Sequence, residues 1–198
     1  MGKIVLFESV TIDGVMQAPG RPDEDTRGGF QYGGWALPYA DATMVQAAAE
    51  SMATTGCILL GRRTYEDFYG VWPKRTDNPY TDVLNNTQKF VASRTLKEPL
   101  PWMNSILLKD DVPQAVSELK SQQKTDIVIL GSGELARSLM QHNLIDQYIL
   151  LIHPLILGTG RRLFPEGSTL STLDLVNSQT TSTGVVVATY QQKQEEGD

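Results

Sequence analysis

The sequence predicts an α/β fold: a central, mixed but mostly parallel sheet with helices on both faces, finished by an antiparallel hairpin. Three observations carry this. Short apolar, β-branched-rich runs recur at 3–10, 57–60, 89–92, 105–108, 126–130 and 147–152, the pattern of strands buried on both faces. Through the middle of the chain these runs alternate with segments of helical spacing, as parallel strands joined by crossover helices do. The last two segments, 173–179 and 185–192, read as strands that flank a polar turn at 180–184 and form an antiparallel pair. With 198 residues and no repeat or linker, one domain spanning 1–198 is expected, with a frayed polar tail from 193.

Composition narrows the function classes. Apolar residues make up 40% and charged residues 20%, ordinary for a globular protein. The net charge of -6 argues against general nucleic-acid binding, which needs a basic face. Cys57 is the single cysteine, so no internal disulfide, zinc ribbon or iron–sulfur cluster can form. Glu8 interrupts the first apolar run too early for a signal peptide, and the longest apolar stretch, 148–157, is broken by His153 and Pro154. A cytoplasmic protein without a membrane segment is expected, acting on a small molecule.

In chain order, strand 3–10 is apolar enough to be central and ends on the turn signal Thr11-Ile12-Asp13-Gly14. Residues 17–34 hold two prolines and five glycines around Asp23-Glu24-Asp25, a long loop that is either a lid over a ligand or disordered. The acidic trio reads as solvated surface. A helix is expected over 38–55, with Val45, Ala48, Ala49 and Met52 on one face and Gly56 as its stop. Strand 57–60 runs into Gly61 and a short helix from Arg62. Strand 89–92 ends on Ser93-Arg94, and a helix over 80–84 is compatible with the pattern. Asp111 caps a helix at 112–122, with Pro113 tolerated in its first turn. His153, alone before a proline at a strand end, reads as structural more readily than as catalytic.

Strand 126–130 leads into Gly131-Ser132-Gly133-Glu134 and then a helix with Leu135, Leu139 and Met140 on one face. Strand, glycine turn and helix start together offer free backbone amides and a positive dipole end to an anion. The alternative is a tight turn with no ligand. Gly131-x-Gly133-x-x-Ala136 matches the loose dinucleotide fingerprint. It lacks the acidic residue about twenty positions on, and it comes too late for a doubly wound half to follow. Three strand ends then remain: Gly61-Arg62-Arg63-Thr64, Ser93-Arg94 and Gly131-Ser132-Gly133-Glu134. Ligands of open α/β sheets sit outside the carboxyl ends of strands, and arginine forks with hydroxyls suit phosphate oxygens. The three ends together fit one extended phosphorylated cofactor.

These residues, in this order, resemble the dihydrofolate reductase superfamily, and most closely the C-terminal reductase domain of the bifunctional riboflavin-biosynthesis deaminase–reductase. Leu59 to Glu66 resembles the family's Gly-Arg-x-Thr-aromatic segment, Val91-Ala92-Ser93-Arg94 its cofactor-binding strand end, and Gly131 to Glu134 its glycine pair. Thr11 to Gly14, Leu144 to Asp146 and Pro154 to Gly160 are similar to the riboflavin-reductase branch. The resemblance covers about residues 3–192. It implies a dihydrofolate reductase-like three-layer fold, NADPH as hydride donor and, in that branch, a homodimer, here expected through strand 147–152 and the C-terminal hairpin. It places the nicotinamide near Asp13 and Gly14, and the pyrophosphate on Gly131 to Leu135. The adenosine end and its phosphates fall to Gly61, Arg62, Arg63, Thr64, Ser93 and Arg94. Trp35 to Asp41 resembles the segment whose helix carboxylate meets the substrate ring, with one extra residue between Pro38 and Asp41. Trp35 is thus a candidate substrate contact, and Asp13 and Asp41 are the candidate proton-delivering carboxylates, although Asp13 stands equally as a turn residue. The deaminase zinc signature needs more than one cysteine. The implied reaction is therefore reduction alone, of the kind catalysed by 5-amino-6-(5-phosphoribosylamino)uracil reductase. Reduction of another pteridine-like substrate, or cofactor binding without catalysis, are the alternatives.

Overall fold

The structure is a computed structural model, and it describes residues 2–76, 78, 80–109, 111–168 and 170–193. The elements run β1 (Ile4–Thr11), α1 (Ala42–Ala53), β2 (Thr55–Gly61), α2 (Arg62–Val71), α3 (Tyr80–Asn86), β3 (Gln88–Ala92), β4 (Ser105–Leu108), α4 (Val112–Gln122), β5 (Asp126–Leu130), α5 (Gly133–Gln141), β6 (Gln147–His153), β7 (Leu173–Thr180) and β8 (Val186–Gln192). The strands form one eight-stranded sheet in the order β4-β3-β2-β5-β1-β6-β8-β7. The first six are mutually parallel where they pair, and β8 runs antiparallel to both β6 and β7. The mixed sheet with its terminal hairpin is therefore as the apolar pattern predicts, and β1 is central.

The period of two along each strand divides the core between two faces. On one face Ile4, Leu6, Ile127 and Ile129 pack against Val116 and Leu119 of α4 and Leu135 and Leu139 of α5. On the other, Val5, Ile58, Leu60 and Val128 meet Met52 of α1, Tyr65 of α2 and Leu84 of α3. Helix α4 starts as expected, with Asp111 accepting a hydrogen bond from Gln114 N–H and Pro113 in the first turn.

Three expectations change. The helix expected over 38–55 is a 3₁₀ turn at Leu37–Tyr39 followed by α1, because Asp41 breaks the helix and caps the second piece through Thr43 N–H at 2.7 Å. Only Met52 of its apolar face is buried, and Val45 is 70% exposed. Strand 147–152 has no free edge to pair with a second copy: β6 lies inside the sheet between β1 and β8, which leaves β7 as the open edge of the hairpin. The 17–34 loop is folded, with Phe30 and Trp35 buried against Val15 and Ala18. Its acidic trio is not simply solvated: Glu24 accepts from the Gly20 and Arg21 amides, and Asp25 pairs with Arg27, while Asp23 stays exposed. No helix among the described residues is long and apolar enough to cross a membrane.

One buried cation supports this architecture. Lys89 of β3 is fully buried, and its Nζ donates to the carbonyls of Leu84, Asn85 and Thr87 at 2.7, 3.2 and 2.8 Å, closing the C-terminal end of α3. It also lies 4.6 Å from the centroid of the Trp102 ring. Replacing Lys89 with Met keeps most of the volume and strands these carbonyls. The expected loss is about 1–3 kcal/mol in urea unfolding. An unchanged midpoint would show that the carbonyls find other partners.

Candidate active site

The two chain segments that leave β2 and β5 are locked together. Gly131 (φ 55°) and Ser132 (φ 61°) are consecutive left-handed residues, an unusual conformation for the serine. Three hydrogen bonds hold it. Ser132 Oγ donates to Leu130 C=O at 3.0 Å and accepts from Gly61 N–H at 2.9 Å, and Ser132 N–H donates to Thr64 Oγ1 at 3.1 Å. The turn therefore throws α5 back from the sheet, with the first amides of α5 free of intrahelical partners.

The same turn splits the sheet. β1 pairs with β5 only as far as Phe7↔Leu130, whereas it stays paired with β6 up to Thr11↔His153. Beyond Phe7 the β5 side of β1 is open. A cavity of about 970 Å³ occupies that crevice, at the upper end of small-molecule sites. Its floor is Phe7, Glu8 and Ser9; one wall is Val45, Ala48, Ala49 and Met52 of α1; the other is Arg63 and Thr64 of α2 with Gly131 to Glu134 and Arg137. The apolar face of α1 read from the sequence is thus a cavity wall more than a core contact. The 17–34 loop closes the remaining side. Arg21 forms a two-pronged ion pair with Asp67 of α2, and Arg27 reaches Glu134 at 3.4 Å. Met16 lies so close to the turn that a Cβ on Gly133 would stand 2.3 Å from its sulfur, so glycine there lets the loop close down.

Of the residues singled out from the sequence, Arg63, Thr64, Gly131, Ser132, Gly133, Glu134 and Asp41 line this cavity. Leu135 is buried in the core behind the turn. Arg62, Ser93 and Arg94 lie at the neighbouring strand ends outside the cavity lining. There Arg62 Nη1 donates to Thr95 Oγ1 at 2.8 Å, Ser93 Oγ accepts from the Thr95 and Leu96 amides, and Arg94 is exposed.

The candidate carboxylates are spent elsewhere. Asp13 is outside the cavity lining. It accepts from Thr11 Oγ1 (2.6 Å), the Leu157 and Gly158 amides (3.2 and 2.9 Å) and Arg162 Nη2 (3.3 Å). Burial pushes its carboxyl up, but these hydrogen bonds outweigh it and hold the group down at about 2. It ties the end of β1 to the 155–162 segment, with Gly14 (φ 78°) making the turn. Asp41 accepts from the Ser182 hydroxyl and amide and from Thr43 N–H, which also bring it to about 2. At neutral pH neither has a proton to give. Trp35 is 7% exposed and donates its indole N–H to Gln17 C=O at 2.8 Å, which places it in the loop's own core, outside the cavity lining. His153 is fully buried, its Nδ1 donates to Leu151 C=O at 2.9 Å, and its ring stands edge-on to Trp35 and Tyr39. Burial lowers its basicity, so it packs as a neutral aromatic.

Glu8 has the opposite environment. It is 4% exposed, its Oε1 accepts only from its neighbour Ser9 N–H at 3.0 Å, and its Oε2 is covered with no hydrogen-bond partner. Burial drives its carboxyl up to about 8. The sequence signal for it was a carboxylate inside an otherwise apolar central strand, a position that ordinary solvation cannot explain. Among the described residues no cluster of His, Cys, Asp and Glu is built to hold a metal.

The uncharacterized protein YyaP of Bacillus subtilis (strain 168) is 31% identical over 138 residues, covering 67% of this chain and 72% of its own. Among solved structures, a pyrimidine reductase-like protein of Corynebacterium diphtheriae, DIP1392, superposes with a TM-score of 0.69 at 13% identity, over 98% of this chain and 93% of its own. RibD of Acinetobacter baumannii superposes with a TM-score of 0.65 at 14% identity, over 98% of this chain and 59% of its own, so this chain spans about three fifths of that protein. These two likenesses speak for the fold. The model of the RibD C-terminal domain matches residues 2–187, nearly the whole chain, and with it the chain belongs to the RibD C-terminal domain family.

Proposed function

We propose that this protein is an NADPH-dependent reductase acting on a pyrimidine- or pteridine-like ring, in the manner of the pathway reductase of riboflavin synthesis. The observation that carries this reading is the crevice itself. An α-helix N-terminus, the left-handed Gly131-Ser132 turn and two arginines meet an apolar wall at the carboxyl ends of β1, β2 and β5. The amides of residues 133–135, with Arg63 and Arg137, suit a pyrophosphate. The α1 wall of Val45, Ala48, Ala49 and Met52 suits a flat heterocycle. The Arg62–Thr95 contact puts the β2 and β3 ends side by side, so a dinucleotide crossing from the turn would bring its adenosine phosphate to Arg62 and Arg94.

The bound cofactor would supply hydride. The protein's own part is to hold donor and acceptor in register, exclude water with the 17–34 loop and furnish a proton. A cytoplasmic location and a homodimer through the open edge of β7, where Leu175 and Val176 are 56% and 54% exposed, belong to the same proposal.

Calorimetry should detect NADPH binding, and a reductase should turn over a riboflavin-pathway pyrimidine or a pteridine with loss of NADPH absorbance. Binding with no turnover on either class would favour a cofactor sensor, and no binding at all would sink the reading. If Arg94 meets the 2′-phosphate, Arg94→Ala weakens NADPH by roughly tenfold to a hundredfold while leaving NADH unchanged. Equal loss for both would reject that role. Sedimentation at micromolar concentration should give a dimer, and a monomer there would rule the β7 interface out.

A further inference from the structure

We propose that Glu8 is the residue that delivers the proton to the bound acceptor, from the floor of the cavity at the point where β5 leaves β1. This rests on the reductase reading and adds to it a residue that the family's glycine and arginine motifs do not contain.

The geometry comes first. Glu8 is the first residue of β1 after the last β1–β5 pair, Phe7↔Leu130, so it stands at the mouth of the split. It lines the cavity with Phe7 and Ser9, beside the α1 wall that suits a ring. Its Oε1 is occupied by Ser9 N–H, while Oε2 is shielded from solvent and faces no donor or acceptor of the protein. A buried carboxyl oxygen without a partner is costly and rare enough to call for an explanation. The cavity that Glu8 lines is the side from which a ligand atom would complete that hydrogen bond, once a side-chain rotation uncovers Oε2.

The surroundings keep the proton on. The charged groups that share the cavity with Glu8 are Glu24, Asp25 and Arg27 of the closing loop, Asp41 before α1, Arg63, Glu66 and Asp67 of α2, Glu134 and Arg137 of α5, and Arg161. Arg27 is taken up by Asp25 and Glu134, and Arg161 by Glu134; among the described residues no ion pair reaches Glu8. Burial is the main influence on its carboxyl and Glu24 adds like-charge repulsion, so with a folded value of about 8 it is protonated at neutral pH. Glu24 is itself raised by burial, and its Oε2 accepts from both the Gly20 and Arg21 amides, which hold it to its own loop.

The step balances simply. As the carbon of a C=N or C=O bond receives hydride, the π electron pair moves onto nitrogen or oxygen. That atom takes the Glu8 proton, and the carboxylate left behind recovers a proton from water. One hydride and one proton are consumed per double bond reduced.

The test is Glu8→Gln, which keeps the shape and the Ser9 contact but has no acidic proton. Its first readout needs no turnover. A carboxyl raised in the fold relative to the unfolded chain makes the folded state bind more protons between about pH 4.5 and 8. Stability is then full below that window and lost as pH rises through it. Relative to E8Q, the unfolding equilibrium constant of the wild type should therefore rise by up to about tenfold per pH unit from pH 5 towards 8. Parallel curves would mean an ionised Glu8 and would overturn the proposal. The second readout is NADPH affinity, expected within about threefold of wild type. The third is turnover on any pyrimidine or pteridine that the wild type reduces. It should fall by about a hundredfold or more, and the wild-type decline above pH 8 should vanish. Undiminished turnover with NADPH still bound overturns the role of Glu8 and leaves the reductase reading standing. If the wild type binds no NADPH, the reductase reading itself fails, whichever way Glu8 titrates. Should E8Q not fold, the Glu8 carboxyl carbon in wild-type NMR decides: a midpoint near 8 supports the proposal and one near 4.5 overturns it.

Discussion

The left-handed Ser132 is the constraint on which the rest of this molecule depends. A non-glycine residue in that region is strained by about 1–2 kcal/mol, and here it follows a glycine in the same conformation. The three hydrogen bonds to Leu130, Gly61 and Thr64 are what hold it. They do two things together. They turn the chain off β5 just after Leu130, which opens β1 on one side, and they fasten that turn to the first turn of α2. The crevice and both of its polar walls follow from one serine and its partners.

The consequence reaches the rest of the cavity. Once β5 has left, β1 carries on beside β6 alone, and its exposed side is roofed by elements that the core does not need. Helix α1 contributes a single buried residue, and its remaining apolar face looks into the space. The 17–34 loop is held by two ion pairs, Arg21 with Asp67 and Arg27 with Glu134, and by its own small core around Trp35. Elements fixed by few buried contacts and by partly exposed ion pairs are the ones a protein can open at small free-energy cost. Floor and turn are rigid, and the roof is light.

How much of this was legible in the sequence follows from what kind of force places each part. Strands β1 to β6 were readable because parallel strands buried on both faces are mostly apolar, with Glu8 and Lys89 the buried charged exceptions. Gly131-Ser132-Gly133 was readable as a turn with anion-binding amides, since backbone geometry needs those residue types. The stripe Val45, Ala48, Ala49, Met52 was visible as a stripe, but a helical period cannot say whether the facing partner is a core or a void. Strand β6 looked like a surface because its apolar content resembles that of any other buried strand. Its place between β1 and β8 is a matter of strand order, which no local pattern encodes. Arg161 and Met16 carry no local signal and are brought in by the chain's return, while Arg137 follows one turn along α5 from Gly133.

The carboxylates make the same point about chemistry. Asp13, Asp41 and Glu8 are one functional group in three environments, and residue type alone ranks them equally as proton donors. Asp13 and Asp41 lie where the chain must turn or a helix must start, and short side chains there reach nearby amides, which stabilise the ionised form. Glu8 lies mid-strand, where the backbone amides are engaged in the sheet and only the one beside it remains in reach. Its carboxyl can therefore avoid an isolated buried charge only by keeping its proton. The position of Glu8 in the fold, at the end of the β1–β5 pairing, is what turns an out-of-pattern residue in an apolar strand into the acid of the cavity.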